Sequence, residues 1–191
     1  SPEIQKQLAD MLQRDNRAAA DRGREKTLPP KGVYVCGIKR LLDIVIAAAA
    51  LLITLPINAV LAVITYFDVG RPILFRQERL GKDGAAFYLC KFRNMTNETD
   101  ENGNLLPADK RITRWGSVAR ALSLDELLNS WSILKDDMSL IGPRPLPVVY
   151  RGRFSDYHNA RHLVKPGLDC PLHRPDMGYM TWENRLENDV C

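Results

Sequence analysis

The stretch that decides the fold is Leu41–Phe67, LLDIVIAAAALLITLPINAVLAVITYF. Asp43 is its only charge. At about 1.5 Å per residue it is long enough to cross a hydrocarbon core about 30 Å thick. It starts well inside the chain and carries no cleavage site, unlike a signal peptide. Two features argue against a plain transmembrane span. Thr54-Leu55-Pro56-Ile57-Asn58 interrupts the middle, where Pro56 removes a backbone donor and Thr54 and Asn58 offer polar groups to the freed carbonyls. Both flanks are also basic: Lys31, Lys39 and Arg40 before, Arg71, Arg76, Arg79 and Lys82 after. A simple span would translocate one of these groups, whereas a helix that enters, breaks at Pro56 and returns keeps both inside. The sequence therefore predicts a re-entrant helix-break-helix rather than a span or a buried soluble hairpin.

Working outward, a chain of 191 residues suggests one domain with an appendage. Its 45% hydrophobic and 26% charged residues make it globular rather than disordered. The net charge is only +4, but basic residues gather near the apolar stretch and the central motifs. That pattern suits anionic headgroups or phosphorylated ligands. With no zinc spacing, RNP-like aromatic run or recognition helix, nucleic acid is not an expected partner. Cys36, Cys90, Cys170 and Cys191 form no CxxC pair and read as free thiols in a reducing compartment.

Ser1-Pro2-Glu3 opens an amphipathic helix with Ile4, Leu8, Met11 and Leu12 on one stripe, and Leu28-Pro29-Pro30 ends it as a linker. Residues 73–92 predict a β-hairpin about Gly81-Lys82-Asp83-Gly84. Residues 96–110 read as a polar loop. Ile112–Leu122 reads as a helix with Trp115, Val118, Ala119 and Leu122 on one face. That face suits either a membrane interface or packing against the next helix.

Ser123-Leu124-Asp125-Glu126 has the form of a capping box, with Ser123 as N-cap and Glu126 reaching back. The same position has a chemical reading. An Asp in a first helical turn is kept ionised by unpaired N–H groups and the helix dipole, and an ionised carboxylate can attack phosphorus. Attack on a diphosphate also needs cations. Lys91, Arg93, Arg120 and Arg144 are candidates, as is magnesium held by carboxylates. Asp136-Asp137 is a weaker metal candidate. Gly142-Pro143-Arg144-Pro145 places Pro143 and Pro145 around one guanidinium, which preorganises it for phosphate. His158 and His162 have no third ligand in sight and read as surface or phosphate-facing residues.

Five ordered segments now carry a resemblance: Lys39-Arg40-Leu41-Leu42-Asp43; Phe75-Arg76-Gln77-Glu78-Arg79-Leu80-Gly81; Lys91-Phe92-Arg93-Asn94-Met95; Arg120 with Ser123-Leu124-Asp125-Glu126-Leu127; and Asp137-Met138-Ser139-Leu140-Ile141-Gly142-Pro143-Arg144-Pro145. The chain resembles the monotopic phosphoglycosyl transferases, bacterial sugar transferases that start glycoconjugate assembly, from about residue 38 to 167. The resemblance implies transfer of a phosphosugar from a UDP-sugar to polyprenol phosphate, with release of UMP and with Mg2+ as cofactor. Asp125 would form an aspartyl-phosphosugar intermediate, and Glu126 would be metal ligand or proton acceptor. Lys91, Arg93, Arg120 and Arg144 would hold phosphates and substrate. Pro56 would sit at the family's helix break. The implied fold is α+β, mainly helical and membrane-associated, with the re-entrant helix, interfacial amphipathic helices and a small β-hairpin. Residues 1–30 would be an N-terminal extension and linker, 31–70 the re-entrant membrane helix, and 71–191 a cytoplasmic catalytic domain on the bacterial inner membrane. Membrane lipids are expected partners, and a second copy of the chain is a further candidate.

The chain departs from the family pattern in places. Asn94 stands where Ser or Thr is commoner, and Leu168–Arg174 replaces a usual Thr-Gly and Gln. The family continues past Val190 with another helix, so truncation or divergence is expected there. These departures motivate a competing reading, an inactive membrane-anchored scaffold of the same fold. A membrane-anchored nucleic-acid module rests on the basic patches alone.

Overall fold

The computed structural model describes residues 37–170, 186 and 188–190. The predicted helix of residues 1–30 and most of the 168–182 segment lie outside them. The described chain is mixed α and β, with one long apolar helix and two small sheets. It divides into two compact units. One comprises residues up to Ile44, Glu78–Phe87 and Ile133 onward, and the other Val45–Gln77 and Tyr88–Ser132.

Helix α1 runs without interruption from Lys39 to Val69 and carries Pro56 inside it. The expected break at Pro56 does not end the helix. Thr54 donates its hydroxyl to the Ala50 carbonyl at 2.7 Å, and Asn58 donates to Thr54 Oγ1 at 3.3 Å. The polar pair thus makes a relay along the helix. α1 is long and apolar enough to cross a membrane, and only 17% of its most apolar window is buried. That fraction separates it from the core helix of a soluble protein, which buries most of its surface. Asp43, Ala47, Asn58, Leu61 and Thr65 are the buried positions, while Leu52, Ile53 and Phe67 are more than 70% exposed.

Both ends of α1 are fastened. At its start, Asp43 accepts from Ser139 Oγ at 2.7 Å, from the Leu140 backbone N–H at 3.1 Å and from Lys39 at 3.3 Å. Arg40 donates to the carbonyls of Ile133 and Leu134 and pairs with Asp136 at 2.7 Å. Lys39 and Arg40 are therefore engaged by the protein, not presented as a free basic flank. At the other end, Arg93 is buried and donates to the carbonyls of Val69, Gly70 and Arg71. It satisfies carbonyls that a helix end leaves without partners.

The predicted hairpin is present as β1 (Leu74–Leu80) and β2 (Ala86–Phe92), paired with each other across a short turn at Lys82–Gly84. The polar loop is pinched by a bridge between Thr99 and Leu105 and ends in α2 (Ala108–Arg111). α3 (Arg114–Ala121) starts at Thr113, whose hydroxyl accepts the Gly116 N–H. Of the predicted apolar face, Ala119 is buried together with Gly116, Trp115 is half-buried, and Val118 and Leu122 are exposed. Small residues are needed because a Cβ on Gly116 would lie 2.1 Å from the Asn94 carbonyl oxygen.

α4 (Asn129–Leu134) leads to β3 (Ser139–Ile141), and a short α5 (Asp156–Asn159) follows. β3 pairs in parallel with β4 (Gly167–Asp169). Gly142 and Gly167 allow this approach, since a Cβ on Gly167 would meet the Gly142 nitrogen at 2.1 Å. Leu80, Leu146, Tyr150, Phe154 and Leu186 form the core of the unit that holds this sheet.

Candidate active site

The carboxylate pair does not form the capping box that its sequence suggests. Ser123 sits in the left-handed region at φ 55° and makes no side-chain cap. Leu124–Glu126 is a single 3-10 turn, too short to carry a helix dipole worth invoking. Asp125 is instead controlled by burial. Its residue is only 3% exposed, and desolvation raises its pKa above the usual carboxylate value. Lys91, an N–H of its own backbone and Arg120 pull it down, while neighbouring Glu126 pushes it up. The sequence reading had the dipole holding this group ionised, and the direction of the shift is the opposite.

Three side chains converge here. Lys91 Nζ, at the end of β2, lies 3.7 Å from Asp125 Oδ2. Asn94 donates to the same Oδ2 at 3.0 Å. Arg120, from α3, reaches the Asn94 side-chain oxygen at 3.5 Å and stays largely exposed. Lys91, Arg120 and Asp125 were all read from sequence and are brought together. Asn94 was seen there only as an unusual residue. Arg93 points elsewhere, to the end of α1, so it leaves this group.

Arg144 belongs to the other unit. Its loop is held through four successive carbonyls. Pro143 accepts from the Gly167 N–H at 2.9 Å and Arg144 from Arg161 at 2.7 Å. Pro145 accepts from Arg79 at 2.9 Å and Leu146 from the Leu80 N–H at 2.8 Å. Pro143 and Pro145 have no N–H to satisfy, so these acceptors account for much of the loop's backbone polarity. Arg161 in turn pairs with Asp189 at 2.7 Å, both side chains 1% exposed. Nothing local in the sequence marks this pair, whose members lie in separate segments.

His158 is buried rather than at the surface, and its backbone N–H is capped by Ser155. His162 is lowered to about 4 by burial and by Arg161, so it is neutral at physiological pH. Asp136 pairs with Arg40 and Lys165, and Asp137 with Lys135 at 2.8 Å. Among the described residues, no three His, Cys, Asp or Glu side chains gather as a metal cage. Adjacent Asp125 and Glu126 still suit magnesium, which commonly takes one or two carboxylates and fills its sphere with phosphate and water.

A family model described as bacterial sugar transferase matches residues 34–191. The chain is 39% identical over 153 residues to the "Uncharacterized sugar transferase EpsL" of Bacillus subtilis, covering 80% of this chain and 76% of that one. It is 35% identical over 179 residues to a "UDP-glucose:undecaprenyl-phosphate glucose-1-phosphate transferase" of Caulobacter vibrioides, covering 87% and 67%. It is 36% identical over 147 residues to a "UDP-N-acetylgalactosamine-undecaprenyl-phosphate N-acetylgalactosaminephosphotransferase" of Aeromonas hydrophila, covering 74% of this chain but 34% of that relative.

Proposed function

The chain belongs to the bacterial sugar transferase family, and from that premise we propose that it is a phosphoglycosyl transferase moving a sugar phosphate from a UDP-sugar to undecaprenyl phosphate. The relatives' names support the reaction, and they include both glucose and N-acetylgalactosamine donors. The observation that carries the reading is a buried Asp125 beside Lys91 and Arg120.

In the proposed reaction an Asp125 oxygen attacks the sugar-bearing phosphorus. The bond from that phosphorus to the bridging oxygen breaks, and UMP leaves with the electron pair. The product is an aspartyl-phosphosugar. A phosphate oxygen of undecaprenyl phosphate then attacks the same phosphorus. The bond to Asp125 breaks, the carboxylate is restored and the lipid diphosphate-sugar is released. Burial strips water from the carboxylate and makes it a stronger nucleophile, which suits the first step. Lys91 offsets charge beside the carboxylate, and exposed Arg120 is placed to meet phosphate. Arg144 belongs to the other unit, and its sequence setting between Pro143 and Pro145 suits it to phosphate binding. Glu126 would hold a magnesium ion with Asp125, and the bound ion would supply neutralisation of the diphosphate charge.

The exposed, apolar α1 supports anchoring in a membrane, which we read as the bacterial inner membrane with the site on its cytoplasmic face. We read α1 as a re-entrant helix that bends at Pro56 while staying one hydrogen-bonded helix, so that both basic flanks lie on one side. Cysteines placed near Ser1 and at Gly84 test it. Labelling of both from one side of the membrane supports it, and labelling from opposite sides overturns it.

The enzymatic test is UMP release from a panel of UDP-sugars by detergent-solubilised protein with undecaprenyl phosphate and magnesium. Release with one sugar that disappears in Asp125→Asn supports the reading and names the donor. Release that survives the substitution removes Asp125 as nucleophile, and no release with any sugar favours an inactive scaffold.

A further inference from the structure

A carboxylate nucleophile has two oxygens, and only one can attack. At Asp125 the two side-chain donors converge on the same atom. Asn94 Nδ2 lies 3.0 Å and Lys91 Nζ 3.7 Å from Oδ2. Asn94 is 5% exposed and Asp125 3%, so solvent does not compete strongly for this bond.

The sense of the Asn94 amide follows from its two neighbours. Its NH2 end faces a carboxylate, and its oxygen faces the Arg120 guanidinium at 3.5 Å. The flipped amide would place oxygen against carboxylate and NH2 against guanidinium, both repulsive. The backbone beneath it is fixed as well. The Asn94 carbonyl lies against α3 at Gly116, the one residue type without the Cβ that would meet it at 2.1 Å. The amide is thus held at its backbone and at both ends of its side chain.

We infer that Asn94 is a positioning residue for the nucleophile, its amide tying down Oδ2 of Asp125 so that Oδ1 is the attacking oxygen. This role rests on Asp125 being the nucleophile, as proposed above. It gives a physical use to a residue that the sequence marks only as unusual.

The test compares Asn94→Leu and Asn94→Asp with the parent in the UMP-release assay, with Asp125→Asn alongside. Leu removes the amide donor together with the oxygen that faces Arg120. Asp keeps an oxygen toward Arg120 but sets an acceptor against the carboxylate, so a loss common to both variants belongs to the donor. The readout is the split between kcat and KM for the UDP-sugar.

Asn94→Leu is expected to lower kcat roughly tenfold with KM for the UDP-sugar within about twofold, as for loss of transition-state positioning. Asn94→Asp should lower kcat at least as far, because an acceptor replaces the donor at Oδ2. An unchanged kcat in both variants, with Asp125→Asn inactive, overturns the inference and leaves the proposed function standing. Activity in Asp125→Asn overturns the proposed function itself. If Asn94→Leu melts too low to assay, the isosteric Asn94→Asp decides alone.

Discussion

The two units treat charge in opposite ways. In the unit with Asp125, a carboxylate is buried at a cost, and its raised pKa measures that cost. In the unit with Arg144, the buried charge has a counter-charge. The side chains of Arg161 and Asp189 are both 1% exposed and face each other, and the four loop carbonyls each have a donor. The first arrangement stores reactivity and the second stores shape. On the proposed reading, the nucleophile gains from being poorly solvated, whereas a guanidinium proposed to meet a phosphate gains from a fixed backbone.

The contrast breaks most sharply at its two buried carboxylates. Asp125→Asn should lower UMP release by roughly 10^4-fold or more, as for removal of a nucleophile. It should also raise the melting temperature, because it removes a carboxylate that burial disfavours. Asp189→Asn should do the reverse to stability. It removes one partner of the buried Arg161–Asp189 pair, a loss that costs about 3–5 kcal/mol. Thermal denaturation of both variants checks the pair of signs. If Asp125→Asn also destabilises, burial is not what governs that group.

Gly116→Ala probes the close approach beneath Asn94. Its Cβ would lie 2.1 Å from the Asn94 carbonyl oxygen, so α3 or Asn94 must shift. Overpacking of this kind costs about 1–3 kcal/mol, read by denaturant unfolding. Activity should fall with it, because Asn94 moves away from Asp125.

The smallest effect is the pH dependence of stability. Asp125 has a folded pKa raised above its unfolded value, so the folded state binds its proton more tightly. Its contribution is therefore most favourable below the ordinary carboxylate pKa. That contribution is lost as pH rises from the unfolded value through the raised folded one. Asp125→Asn should lack this fall. The difference between the two stability curves isolates it, and parallel curves would contradict the raised pKa.

Much of this was legible in the chain. The long apolar run predicts α1, alternating apolar residues about a Gly-Lys-Asp-Gly turn predict β1 and β2, and Pro-Arg-Pro marks a rigid loop. Asp125, Lys91 and Arg120 were readable as a group because their chemistry is complementary. The misreadings share a cause. Ser123-Leu-Asp-Glu fits a capping box locally, but the backbone there turns through a left-handed residue into a single 3-10 turn. Arg93 looks like its neighbour Lys91, yet it lies one residue along and points to the end of α1. Pro56 reads as a break, but local hydroxyl and amide bonds accompany an intact helix. Arg161 with Asp189, and Asp43 with Ser139, depend on pairings between distant segments, for which periodicity carries no signal.

The line from Asp189 through Arg161 to the Arg144 carbonyl has a consequence in time. During synthesis Arg144 leaves the ribosome first, then Arg161, then Asp189. Until the last of these emerges, Arg161 has no Asp189 to offset its charge, and burying it is costly. The Arg144 loop thus gains this brace only once Asp189 has emerged, and a nascent chain stopped short of Asp189 would hold Asp125 and its neighbours before that loop is set.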